Sequence, residues 1–130
     1  MNVVTLCTGN VARSVMLGYM LSDLAEANGW AWQIRTAGTH AVEGQAMSTR
    51  TLQSLESLDE LGEHHFTRHR SRQISEDDAL WADVIFASEA DHVRFVRAQL
   101  PAAADKVVQH VVDTWGKLDI LVNNAGIVKD

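Results

Sequence analysis

Several things are scarce in this chain of 130 residues, and each scarcity excludes something. There is one cysteine, Cys7, which leaves no internal disulfide and no multi-cysteine metal site and makes a reducing cytoplasm the expected location. Proline and tyrosine also occur once each, at Pro101 and Tyr19. No apolar run approaches the roughly 20 residues of a membrane span, and the N-terminus lacks the basic stretch of a secretion signal. Cations are outnumbered: 11 Lys and Arg against 17 Asp and Glu give a net charge of −6. That balance argues against non-specific nucleic-acid binding, which requires cations to displace counterions from phosphates. Repeats and low-complexity tracts are missing. What remains is the length of one domain with one core, 46% hydrophobic and 22% charged.

The apolar pattern reads as alternating strands and helices. Val3 to Leu6 is short and β-branched, as a buried strand should be. Met16, Leu17, Met20, Leu21 and Leu24 recur at helical spacing and stop at Asn28-Gly29. Trp30, Trp32, Ile34 and Thr36 alternate as a second strand ending at Gly38. Strand, helix, strand implies a parallel sheet with right-handed crossovers. Leu52, Leu55, Leu58 and Leu61 predict a helix closed by Gly62, before a polar, histidine-rich loop from Glu63 to Gln73. Ser75 with Asp78 resembles a capping box for a short helix to about Ala82. Val84 to Ala87 predicts a third strand, and Ser88 is expected to cap the next helix, with Asp91 three residues on. Pro101 should stop that helix or restart another. Val107, Val108, Val111, Val112 and Trp115 predict a helix with Gly116 as its C-cap, and Leu118 to Val122 a fourth strand.

The chemistry concentrates between the first strand and the first helix, in Cys7-Thr8-Gly9-Asn10-Val11-Ala12-Arg13-Ser14. A strand-to-helix turn of this kind gathers backbone N–H groups around a common centre, and the helix behind it adds its positive end. Cys7 can serve as a thiolate nucleophile and Arg13 as a bidentate fork for phosphoryl oxygens. Ser14 can donate to the sulfur and ease its later departure. Gly9 and Asn10 tolerate the left-handed backbone that turns N–H groups inward. A lone cysteine is ordinarily a small buried hydrophobe. Here Gly, Asn and Ser fall where such a nest needs them.

The stretch resembles the loop of the low-molecular-weight protein tyrosine phosphatases. That loop reads C-x-G-N-x-C-R-S-P, and this chain reads C-T-G-N-V-A-R-S-V. The likeness continues to about residue 101, through Thr36-Ala37-Gly38-Thr39, His69-Arg70-Ser71-Arg72-Gln73, and Ala82-Asp83-Val84-Ile85 followed by Glu89. It implies an α/β fold in three layers, a four-stranded parallel sheet in the order 2-1-3-4 flanked by helices, and no cofactor. Cys7, Arg13 and Ser14 would be catalytic, and residues Thr8, Gly9, Asn10, Val11, Ala12 and Arg13 would hold the phosphoryl group. Asn10, Thr36 and His69 would form a hydrogen-bond network bracing the loop from behind. The implied substrates are phosphorylated proteins or small aryl phosphates. Ala12 replaces a second cysteine that in the family shields the nucleophile as a reversible disulfide, and Val15 replaces a proline. Neither change removes a catalytic group.

Beyond about residue 102 a different resemblance emerges. Trp115-Gly116-Lys117-Leu118-Asp119-Ile120-Leu121-Val122-Asn123-Asn124-Ala125-Gly126 is similar to the N-N-A-G strand of short-chain dehydrogenases. Their nucleotide fingerprint G-x-x-x-G-x-G and their Y-x-x-x-K pair are both missing, since Asp23 stands four residues after Tyr19. The chain therefore reads as one α/β domain over 1–130, with a phosphatase-like part and a spliced tail. The phosphatase family carries its general acid in a D-P-Y/F loop, which these 130 residues lack. Asp113 and Asp119 are expected at a helix end and a strand start, remote from the loop. Asp130, after the final strand, is a poor replacement. The expectation is an intact nucleophile and anion cradle with weak or lost turnover. The alternative is an inert engineered chimera of two α/β folds that at most binds phosphate-like anions. An arsenate reductase would need a resolving cysteine. A metal site from His64, His65 and His69 lacks distinctive spacing, and the histidines read better as a solvated cluster. The family's closing helix is not recognisable, which would leave an apolar face for a homodimer partner.

Overall fold

A computed structural model describes residues 1–57, 68–112 and 118–121. The central strand is β1 (Asn2–Cys7). It pairs in parallel with β2 (Gln33–Gly38) on one side and β3 (Val84–Ala87) on the other. Next to β3 lies β4 (Val107–Val112), also parallel, so four parallel strands run in the order 2-1-3-4. The helices are α1 (Arg13–Ala27), α2 (Thr49–Glu56), α3 (Glu76–Trp81) and α4 (Ala90–Gln99).

Alternation along β1 sorts the core into two layers. Val3 packs with Leu17 and Leu21 of α1 and with Phe86 and Val108. Val4 and Leu6 point the other way, into a cluster with Ala79 of α3 and Val93 and Val96 of α4. Each such side chain contributes about 1.5–3 kcal/mol on burial. Period-2 alternation also puts Cys7 on the α1 face, with Val3 and Thr5.

Two parts of the pattern fold differently from expectation. The predicted helix from Val107 to Trp115 is instead the strand β4, over Val107–Val112. Val107 belongs to the α4-side cluster and Val108 to the α1-side cluster. Val107 and Val108, buried on opposite faces, suit an inner strand, and the valine spacing of this segment fits a helical repeat as well. Leu118–Leu121 is a strand, β5, but it pairs antiparallel to β4 as a fifth strand. Asp113 thus follows a strand and lies outside the described residues, and Asp119 sits within β5 opposite Val111. Leu58, Leu61, Gly62, His64, His65 and Asp130 also lie outside the described residues.

Local chemistry explains the remaining boundaries. Ser75 and Asp78 form the expected capping box of α3. The N-cap of α4 is Glu89 rather than Ser88, because the Ser88 amide and hydroxyl both donate to the Leu6 carbonyl, at 3.0 and 2.9 Å. Pro101 does both things open to it: α4 ends at Gln99, and a short 3-10 turn starts at the proline. The second strand begins only at Gln33, after the Trp30 and Trp32 rings have packed on each other with centroids 4.9 Å apart.

Candidate active site

The segment from Cys7 to Ser14 leaves β1 at its carboxyl end and enters α1, where open parallel sheets place their ligands. Its carbonyls are tied down from outside. Thr39 N–H donates to Cys7 O, His40 N–H to Thr8 O, Ser48 N–H to Val11 O and Met16 N–H to Ala12 O, each at 2.9 Å. His69 Nε2 donates to Asn10 O at 2.8 Å. In a planar trans peptide the N–H points opposite to the preceding C=O. The N–H groups of Thr8, Gly9, Val11, Ala12 and Arg13 are therefore turned to the inner side of the turn. The first turn of α1 adds its own amides: Ala12 at the N-cap makes no side-chain cap, and the first turn holds no acidic residue.

The turn closes on Asn10, the one described non-glycine residue with positive φ, at 57°. That conformation costs an ordinary residue roughly 1–2 kcal/mol, and asparagine tolerates it because its side chain bonds locally. Asn10 is fully buried, and its amide group works in two directions. Nδ2 donates to Ser14 Oγ at 2.9 Å, and Oδ1 accepts from the Arg72 N–H at 3.0 Å. Ser14 Oγ lies 2.9 Å from Cys7 Sγ. With the Asn10 amide as donor to that oxygen, the serine proton is free to face the sulfur. Thr5 Oγ–H donates to Ser14 O at 2.7 Å and holds the start of α1 against β1.

Gly38 shows how close the second strand comes. A Cβ there would stand 2.5 Å from Thr8 O and 3.1 Å from Asn10 N. Thr36, expected in the brace by its side chain, takes part through its carbonyl, which accepts from Arg72 Nη1 at 2.9 Å. Its methyl is packed instead over Gly18 of α1. The brace behind the loop is thus Asn10, His69 and Arg72, with Arg72 secured by Asp78 at 2.6 Å. Burial pushes the Asp78 carboxyl up, but bonds from Arg72, the Ser75 backbone and Arg35 outweigh it and hold it below its ordinary range. Burial also holds His69 below the ordinary histidine value, so its neutral form braces Asn10.

At the rim of the site, beside Arg13, stand two residues to which the sequence assigned no role, Glu89 and His92. Arg13 Nη1 lies 3.4 Å from Glu89 Oε2, and both side chains are about half exposed. His92, 2% exposed, lies beneath them. Its Nδ1 accepts the Glu89 N–H at 3.2 Å, which leaves the proton on Nε2, 2.9 Å from Thr8 Oγ1. Burial keeps His92 below its usual value, consistent with that neutral tautomer. The signal available in sequence was the Glu89-to-His92 spacing of a capping box, with histidine in an unusual part.

Fold and site together define an α/β protein with a cysteine-containing turn at the carboxyl end of its central strand, the loop amides facing inward. The sequence profile of the family described as low molecular weight phosphotyrosine protein phosphatase matches residues 2–120. The chain belongs to that family, and the match runs past the point near residue 101 where the motif likeness fades. It is 31% identical over 108 residues to a protein-arginine-phosphatase of Bacillus subtilis, covering 82% of this chain and 68% of that one. A low-molecular-weight protein tyrosine phosphatase from T. tengcongensis superimposes with a TM-score of 0.75 at 31% identity, over 82% of this chain and 71% of the other. The chain spans about two thirds of the length of the curated phosphatases it matches. It is also 38% identical over 55 residues to an uncharacterized oxidoreductase of Thermotoga maritima, covering 42% of this chain and 22% of that protein.

Proposed function

We propose that this chain hydrolyses phosphate monoesters through a Cys7 thiolate and a phosphocysteine intermediate, acting on phosphorylated proteins or small aryl phosphates. The observation that carries the reading is the outward anchoring of five loop carbonyls around Asn10, which turns the amides inward beside Cys7 and Ser14. In the first step the thiolate attacks phosphorus in line, the S–P bond forms and the P–O bond to the alcohol breaks. The Arg13 fork and the inward amides hold the three non-bridging oxygens as charge redistributes. In the second step water attacks the phosphocysteine and the P–S bond breaks. Ser14 Oγ–H stabilises the departing thiolate, and inorganic phosphate leaves.

The leaving oxygen needs a proton in the first step, and these residues supply no acid in a D-P-Y/F motif. General acid catalysis is typically worth ~10²–10⁴ in rate, so turnover should be weak except with activated aryl leaving groups. An activated aryl phosphate assayed with the native chain and with Cys7→Ser tests the reading. A rate confined to the native chain supports it, and equal rates end it. Parallel assays on phosphotyrosine and phosphoarginine peptides would separate the two substrate classes named for its relatives.

The dehydrogenase-like tail and the partial oxidoreductase match favour a second reading, an inert splice of two α/β folds that at most binds anions. Vanadate distinguishes the extremes. Failure to bind or to raise Tm would favour the inert splice, whereas tight binding without turnover would leave an anion cradle alone.

A further inference from the structure

At the β2 edge of the sheet lies an open cleft of about 410 Å³, lined by Arg35, Thr36, His69, Arg70, Arg72 and Asp77. No residue from Cys7 to Ser14 lines it. The volume falls within the usual range for small-molecule sites. Three guanidinium groups from two elements meet there, in a chain whose net charge is −6. Two carboxylates oppose them. Arg35 Nη1 contacts Asp77 at 3.1 Å and Asp78 at 3.2 Å, and Arg72 Nη2 contacts Asp78 at 2.6 Å. Asp78 is fully buried, so its charge is spent inward. Arg70, exposed, makes only the bond from Nη1 to the His69 carbonyl at 2.6 Å among the described residues.

A guanidinium carries five N–H donors. The bonds named use Nη1 of Arg35, Nη1 of Arg70 and the two terminal nitrogens of Arg72. Among the described residues, the Nε–H of all three and Nη2 of Arg35 and Arg70 enter none of these bonds, and the face of the Arg35 guanidinium rests on the Trp81 ring, 3.9 Å from its centroid. The surplus is one positive charge and several forked donors spread along the cleft. His69 adds no charge at neutral pH, since burial keeps it neutral.

We propose that this cleft is a second anion site, anchored by Arg70 with Arg35 and Arg72, and that it takes a compact polyanion bearing two linked phosphoryl groups. Arg35 and Arg72 converge on one oxygen, Asp78 Oδ1, at 3.2 and 2.6 Å, while Arg70 enters beside His69, so a diphosphate can set one phosphoryl group on that pair and the other on Arg70. Two lining residues, His69 and Arg72, are the ones that grip Asn10, so an occupant is in direct contact with the brace of the catalytic loop.

Titration of the ¹⁵N-labelled full chain with inorganic pyrophosphate tests this, because each site reports through its own amides. Saturable shifts at Arg70, Arg72 and the arginine Nε–H resonances are expected, persisting when vanadate occupies the Cys7 loop and when Cys7 is changed to Ser. Sulfate at matched ionic strength should bind more weakly. Arg70→Gln should weaken pyrophosphate about tenfold, and Arg70→Lys by less, as expected for loss of a charge-assisted fork. Arg70 is exposed and, among the described residues, bonds to its neighbour His69, so these variants should fold. Shifts confined to residues 8–14, or equal affinity in Arg70→Gln, would overturn the proposal. The proposed catalytic role of the loop fails or survives separately, on the vanadate response of residues 8–14.

Discussion

His92 Nε2 lies 2.9 Å from Thr8 Oγ1, tying the first turn of α4 to the loop that leaves β1. The bond joins residues 84 positions apart through a histidine that is 2% exposed and held neutral by burial. His69, on the opposite flank, is likewise neutral and gives its proton to Asn10 O.

These two histidines set a pH dependence of stability. An unfolded histidine takes up a proton near 6.5, whereas both buried rings resist it until lower pH. Between those values the unfolded chain binds more protons. Their contribution is therefore complete above pH ~6.5 and is lost as pH falls through the folded values. Urea unfolding across pH 5 to 8 should show a plateau at the alkaline side and a decline at the acid side. In His92→Gln the acid decline should be shallower, and an unchanged slope would contradict this account.

Gly38→Ala is expected to damage the site more than the fold. The added methyl meets the Thr8 carbonyl at 2.5 Å, so β2 or the loop must move. Overpacking of this kind costs roughly 1–3 kcal/mol. Vanadate affinity should drop by more than tenfold while the far-ultraviolet circular dichroism keeps its native shape. Native affinity in this variant would show that the close approach is dispensable.

At Asn10 two substitutions separate backbone from side chain. Glycine accepts the positive φ but makes neither side-chain bond, and a loss of about 1–3 kcal/mol is expected from the unpaired groups. Alanine adds the left-handed penalty of roughly 1–2 kcal/mol. Calorimetry should rank the native chain above Asn10→Gly and Asn10→Gly above Asn10→Ala. The reverse order would mean that strain at this position is not borne by the asparagine.

The Asp78 carboxylate is fully buried, and its partners Arg72 and Arg35 are about a third exposed. Because its folded pKa is depressed, its stabilisation is present above the ordinary carboxylate range and lost as pH falls through the folded value. Asp78→Asn should cost about 1–3 kcal/mol at pH 7, allowing for solvent screening of the guanidiniums. The difference from the native chain should shrink in acid, as followed by chemical denaturation at pH 3 and pH 7. A constant gap would assign the role of Asp78 to shape rather than charge.

The first three strands were legible because Val3–Leu6 and Val84–Ala87 are apolar and short and the residues before Gly38 alternate; the order 2-1-3-4 followed from the family resemblance, with the fourth strand expected at 118–122 and found at Val107–Val112. Ser75 and Asp78 were legible as a cap for the same local reason. The tail misled because Val107, Val108, Val111 and Val112 satisfy a helical repeat and a doubly buried strand equally well, and only the sheet decides between them. His92 escaped notice, and Arg72 and Glu89 were noted only as parts of matching motifs, since their roles depend on contacts across 62 to 84 residues of chain or on half-exposed charges that no pattern marks. Thr36 was placed in the right neighbourhood but given the wrong atom, because a sequence does not say whether a carbonyl or a hydroxyl faces an arginine.

The five anchors on the loop carbonyls come from four stretches of the chain: Met16 of α1, Thr39-His40, Ser48 and His69. A cradle held in this way has no local existence: no peptide containing Cys7 to Ser14 could reproduce it, and loosening any one stretch frees an oxygen that can swing toward the anion. On the proposed function, affinity for vanadate would gauge tertiary integrity. A library of variants could be sorted for correct folding by oxyanion retention alone, without measuring a single turnover.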